Sequence, residues 1–163
     1  MMEKSLQLQV RVSPRDKRRI EAKARRAGLP VSAWVLGQLL PSAVAEFERL
    51  SERLALETTP AFVYAELNDF LSPLSRAEFR TAVADAPTQK IDPARLNYLA
   101  AMIEQTAMIL GVAPPDWTRD VAPLEQPVFA SGLESLRLHL LTNALPSFRR
   151  RNLFVDTSIG GRV

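Results

Sequence analysis

The chain has 163 residues, 47% hydrophobic and 24% charged, a balance that supports one or two small domains with a hydrophobic core and excludes disorder throughout. It contains no cysteine, which excludes disulfides, thiolate zinc sites and thiol nucleophiles and suits a reducing cytoplasm. The net charge of +3 is unevenly spread: the first 26 residues hold nine Lys/Arg against three Asp/Glu, so the remainder is net acidic. No signal-peptide-like run opens the sequence and no stretch of 18 apolar residues occurs in it, so a soluble, cytoplasmic protein without a membrane partner is expected.

Residues 6–12, Leu-Gln-Leu-Gln-Val-Arg-Val, alternate strictly. As a strand they place Leu6, Leu8, Val10 and Val12 on one face and Gln7, Gln9 and Arg11 on the other. Gln pairs with the N6/N7 edge of adenine and Arg with the O6/N7 edge of guanine, and a two-stranded ribbon fits the major groove. One chain supplies one such strand, so its partner is expected from a second copy. The blander reading of the same heptapeptide is an ordinary half-buried strand.

Ser13-Pro14 then reads as a helix start, with the helix running to about Ala27. Ile20, Ala24 and Ala27 form a narrow apolar stripe, and Arg15, Lys17, Arg18, Arg19, Lys23, Arg25 and Arg26 cover the rest, either solvated or near phosphate. Gly28 suits the left-handed residue that ends a helix. Leu29-Pro30-Val31-Ser32 turns into a second helix with Ser32 as its expected cap, and Trp34, Val35, Leu36, Leu39 and Leu40 as its apolar residues.

In this order of parts, residues 5–41 resemble a ribbon-helix-helix module of the MetJ/Arc type. The resemblance implies an intertwined homodimer on double-stranded DNA, with Gln7, Gln9 and Arg11 reading bases. It further implies phosphate contacts from the basic first helix, Arg15, Arg18 and Arg19, and from the N-terminus of the second helix at Val31 and Ser32. Pro30 departs from the pattern by removing one N–H from that anion site.

Beyond Pro41 the sequence reads as nearly all helix. Val44, Phe47, Leu50 and Leu54 recur at spacings of three and four, predicting a helix over 43–57. Thr59-Pro60 opens another to about Leu71, Ser75 with Glu78 makes a capping box for a short one to about Ala84, and Asp92-Pro93 starts the longest, Ala94 to Leu110, ended by Gly111. Four prolines then punctuate a loop, Pro114, Pro115, Pro123 and Pro127, in which Trp117 and Phe129 are the expected anchors. A helix over 133–141, a short one over 146–151 and a brief strand or extended tail over 152–159 complete the prediction.

The stretch GLESLRLHLLTNALPSFRRRNLFVDTS resembles uncharacterised bacterial proteins associated with nucleotidyltransferase-type toxins. That resemblance implies an antitoxin whose body holds a toxin while its N-terminus represses the operon. Arg149, Arg150 and Arg151, with Trp117, are the candidate partner contacts. The arginines point in different directions around a helix, and a solvated helix C-terminus, where cations favour the dipole, explains them equally well.

Other chemistry is thin. His139 is the sole histidine, which removes two-histidine metal sites. Asp116 and Asp120 beside Arg119 read as a helix cap and ion pair rather than a metal site, and Gly160-Gly161 as terminal flexibility. No cofactor is expected, and no nucleophile and base pair points to an enzyme. The fold class expected is mainly α: an N-terminal ribbon-helix-helix over 1–42, one strand and two helices in an intertwined dimer, then an all-α partner-binding domain over 43–163. The function expected is a DNA-binding repressor and antitoxin; the alternative is a dimeric adaptor whose ribbon only dimerises it.

Overall fold

Ser13, Ser42, Ser75 and Asp92 each stand immediately before a helix, and in each case the side-chain oxygen accepts from a first-turn amide that the helix itself leaves unbonded. The computed structural model describes residues 9–39, 42–130 and 133–155. The chain divides into two compact units, Met1–Pro41 and Ser42–Val163.

The first unit is a helix pair, α1 Pro14–Arg26 and α2 Val31–Leu39. Ser13 Oγ accepts from the Asp16 amide at 3.1 Å. The exit is a Schellman turn: Gly28, at φ +67°, donates to Arg25 O at 3.1 Å, and Leu29 donates to Ala24 O at 3.1 Å. Helix α2 begins one residue earlier than its expected cap. Trp34 N donates to Pro30 O, so Ser32 lies inside the first turn and does not cap it. The expected strand over 6–12 is not formed by its described part: residues 9–12 belong to no ladder, and Leu6, Gln7 and Leu8 lie outside the described residues. A strand needs a hydrogen-bonded neighbour, and residues 9–12 have none among the described residues.

The second unit is built on α3 Ala43–Leu56, α4 Ala61–Leu71, α5 Arg76–Ala82 and α6 Pro93–Leu110. Phe47, Leu50 and Leu54 of α3, Val63, Leu67 and Leu71 of α4, and Phe79 of α5 pack around the apolar side of α6 in one core. Half of the residues of α6 are buried, and Gly111, at φ +64°, ends it in the left-handed conformation. Arg95 Nη1 donates to Leu54 O at 2.8 Å and Glu57 O at 2.7 Å, satisfying carbonyls that the end of α3 leaves free.

After α6 the chain runs through α7 Trp117–Asp120, strand β1 Val128–Phe129, a 3₁₀ turn Glu134–Leu136, α8 Arg137–Asn143, α9 Pro146–Arg149 and strand β2 Leu153–Phe154. The two strands pair in parallel, Val128 opposite Leu153 and Phe129 opposite Phe154. The unit is therefore mainly helical and not all-α. Phe129 stacks on Phe154 at 5.1 Å on one face of this pair, over Leu140 and Ala144. Both expected loop anchors hold: Phe129 in this way, and Trp117 by donating Nε1–H to Val83 O at 3.0 Å.

Arg151 corrects the reading of the three arginines as a surface. It is 5% exposed, and its guanidinium donates to Glu104 Oε1 at 2.7 Å, Thr118 O at 2.6 Å, Asn97 Oδ1 at 3.1 Å and Val121 O at 3.2 Å. Arg150, exposed, reaches the same Glu104 at 3.1 Å, and Arg149 is exposed. The interior position needs an acidic partner 47 residues away, which no local pattern announces.

Breaking a buried pair leaves an uncompensated charge, so Arg151→Ala should cost about 3–5 kcal/mol in urea unfolding. Arg150→Ala, at an exposed pair, should cost no more than about 1 kcal/mol. The chain's two tyrosines supply a second check. Tyr64 and Tyr98 stack with ring centroids 3.9 Å apart, and burial raises both phenols, Tyr98 to about 12. Their protonated forms therefore favour the fold below about pH 10, and this contribution is lost as pH rises towards the folded values. At pH 11, absorbance should show about a tenth or less of the phenols ionised in the folded chain and about nine-tenths in urea.

Candidate nucleic-acid interface

Helix α1 has 13 residues, seven of them Lys or Arg and two acidic. Steps of 100° per residue bring Arg15, Arg18, Arg19, Arg25 and Arg26 within about 120° of arc, centred on Ala22, with Ile20, Ala24 and Ala27 on the far side. All five arginines are exposed. Arg19 lies 3.7 Å from Asp16, and Arg18 Nε donates to Pro14 O at 3.3 Å. Arg15, Arg25 and Arg26 have no ion pair among the described residues. A charge density of this kind, held straight along about 20 Å of helix, suits a row of phosphates.

Arg15, Arg18 and Arg19 are the expected phosphate contacts, and the helix places Arg25 and Arg26, expected only as general basic cover, on the same face. The signal for adding them was present in the 3.6-residue period, since positions 15, 18, 22, 25 and 26 recur on one face.

The start of α2 supplies a different kind of anion group. Val31, Ser32 and Ala33 precede the first intrahelical bond, and their N–H groups lie at the positive end of the helix dipole. Val31 and Ser32 are both exposed in the first turn of α2. Lys23 lies over the Trp34 ring at 5.8 Å, fixing α1 against α2. Of the residues expected to read bases, Gln9 and Arg11 are exposed, while Gln7 lies outside the described residues.

This unit lacks a core of its own. Ala24, 1% exposed, is its one buried residue among those described. Val10 at 67%, Leu39 at 64%, and Val12, Leu29, Val31 and Leu36 are all exposed. So many aliphatic side chains on about thirty residues, in a segment otherwise strongly basic, mark a surface with a further packing role.

In the second unit, Arg149 and Arg150 remain exposed, whereas Arg151 and Trp117 are bonded within their own fold. His139 lies on the exposed helix α8, with Asn143 Nδ2 3.2 Å from its Nδ1. Asp116 forms an ion pair with Arg119 at 3.2 Å and makes no side-chain cap bond. Among the described residues no cluster of three His, Cys, Asp or Glu groups is placed to hold a metal, and no single helix is long and apolar enough to cross a membrane.

A family model described as NikA-like, mobilization protein NikA, matches residues 2–53. The match covers the whole helix pair, the residues before it and most of α3. No curated protein and no solved structure matches the chain.

Proposed function

We propose that the chain is a homodimeric, sequence-specific DNA-binding protein whose N-terminal unit is one half of a ribbon-helix-helix module. The observation that carries this reading is an N-terminal unit that, among its described residues, buries one alanine while exposing six aliphatic side chains and a face of five arginines. Pairing with a second copy buries Val10 and Val12 beneath a shared ribbon and leaves Gln7, Gln9 and Arg11 facing the groove. The arginines of α1 and the amides of Val31 and Ser32 then hold phosphates and fix the register. The match to a DNA-mobilization family over the same residues supports the assignment.

The resemblance of the C-terminal stretch favours a repressor that is also an antitoxin, with the second unit binding a nucleotidyltransferase-type toxin in the cytoplasm. Arg149 and Arg150 are the exposed basic groups left for such a partner. The reading assigns no catalytic step and no cofactor to the chain. The family match favours a second reading, in which the bound duplex is a site used in mobilization and not a promoter. Selection of bound sequences from genomic fragments separates the two: the first returns the promoter of the chain's own operon, the second a site unconnected with transcription of that operon. An adaptor that merely dimerises returns no sequence.

On the selected duplex, Arg11→Ala should weaken binding by about 1–3 kcal/mol, measured by gel shift. If it weakens binding no more than Lys4→Ala, the ribbon is not the reader. Leu36→Glu places a charge on the exposed aliphatic surface and should shift the chain from dimer to monomer in sedimentation equilibrium, with the cooperative unfolding of the second unit unchanged.

A further inference from the structure

Within the second unit, a cavity of about 680 Å³ lies between α4, α6 and the β1–β2 pair, a size that buries a drug-sized ligand. Side chains alternate across the strands, so Val128, Ala130, Leu153 and Val155 share the face that lines the cavity, opposite the Phe129–Phe154 stack. Tyr64 and Ala65 line it from α4, and Tyr98, Met102 and Gln105 from α6. The lining along α6 reaches from Ala94 to Thr106, about 18 Å of helix.

Polar groups in this apolar wall lack partners. Gln105 is 8% exposed; its Oε1 accepts from Ser147 Oγ at 2.8 Å, and its amide nitrogen has no hydrogen-bond partner among the described residues. The hydroxyls of Tyr64 and Tyr98 likewise have none among the described residues, and burial holds both phenols protonated, as donors. All three remain open to solvent, since the buried side-chain polar atoms without a partner among the described residues are Ser51 Oγ and Gln89 Oε1, so an apolar occupant that displaces their water must offer an acceptor in its place.

Charge narrows the acceptor. Asp69, Asp92 and Arg95 line the cavity, two carboxylates against one guanidinium whose Nη1 is already bonded to the carbonyls of Leu54 and Glu57, so the lining is net negative. An anion would meet two carboxylates, and a cation would leave the amide and phenol donors unanswered. We propose that this cavity binds a neutral, largely apolar small molecule whose carbonyl oxygen accepts a hydrogen bond from the side-chain amide of Gln105. The site stands apart from the DNA-binding reading and survives its failure.

The test uses the full chain with N-phenyl-1-naphthylamine as a fluorescent reporter and decanamide and decanoate as competitors. Expected are reporter binding that saturates near one equivalent per chain, displacement by decanamide, and displacement by decanoate at least tenfold weaker. Ala65→Trp, which places an indole on the lining, should weaken reporter binding at least tenfold with an unchanged circular dichroism spectrum. Gln105→Leu should weaken decanamide five- to tenfold and leave the reporter, which has no carbonyl, unaffected. Gln105→Glu keeps the acceptor for Ser147 and removes the donor, so it should show the same loss if Gln105→Leu does not fold. The proposal is overturned by absence of saturable reporter binding, by decanoate binding as well as decanamide, or by undiminished decanamide affinity in the Gln105 variants. Reporter binding that falls as protein concentration rises, the mark of a second copy filling the cavity, overturns it too.

Discussion

Arg151 and Glu104 form the most deeply buried ion pair among the described residues, with side chains 5% and 10% exposed, and the segments around α7 and β2 are organised around the guanidinium. Its bonds to the carbonyls of Thr118 and Val121 fix the segment around α7, and its bonds to Asn97 and Glu104 tie that segment to the central helix. Asn97 continues the link by donating to Ala122 O at 3.0 Å. A proline-punctuated stretch with little regular structure has few backbone partners of its own, so its carbonyls need donors from elsewhere. A fixed guanidinium with five N–H groups supplies several at once. From there the chain enters β2, whose pairing with β1 builds the wall of the cavity.

The first unit obeys the opposite constraint. It has charge in abundance and almost no interior: one alanine is buried among its described residues. A segment of this size cannot offset the conformational entropy of ordering with so little burial. In the proposed dimer a second copy would cover the exposed aliphatic side chains, and the same pairing would give the alternating segment the neighbour that a ribbon for the major groove requires. On that proposal, stability and recognition in this unit depend on the same association.

Helix boundaries were legible wherever the signal is local. Ser13-Pro14, Ser75 with Glu78, and Asp92-Pro93 with Gly111 mark ends that the structure reproduces to within a residue or two, because caps act within one turn. Ser32 misled as a cap because the carbonyl of Pro30, two residues earlier, already opens the helix. The β1–β2 pair was not legible: each strand has two residues, too few to show alternation, and the pairing joins positions 25 apart. Arg149, Arg150 and Arg151 look alike in sequence, and only the approach of α6 with Glu104 decides which one goes inside. The basic face of α1 was fully encoded in its helical period, whereas the cavity, assembled from four separate stretches of chain, had no local signature.

The central claim is that two chains read one DNA site through the N-terminal unit. The most direct measurement is the stoichiometry and affinity of the full chain on a selected duplex, compared with random duplex at the same salt concentration. The account predicts two chains per half-site pair, an affinity at least about 10³-fold above random DNA, and a steep fall with rising salt. One chain per site, or equal affinity for any duplex, would contradict it.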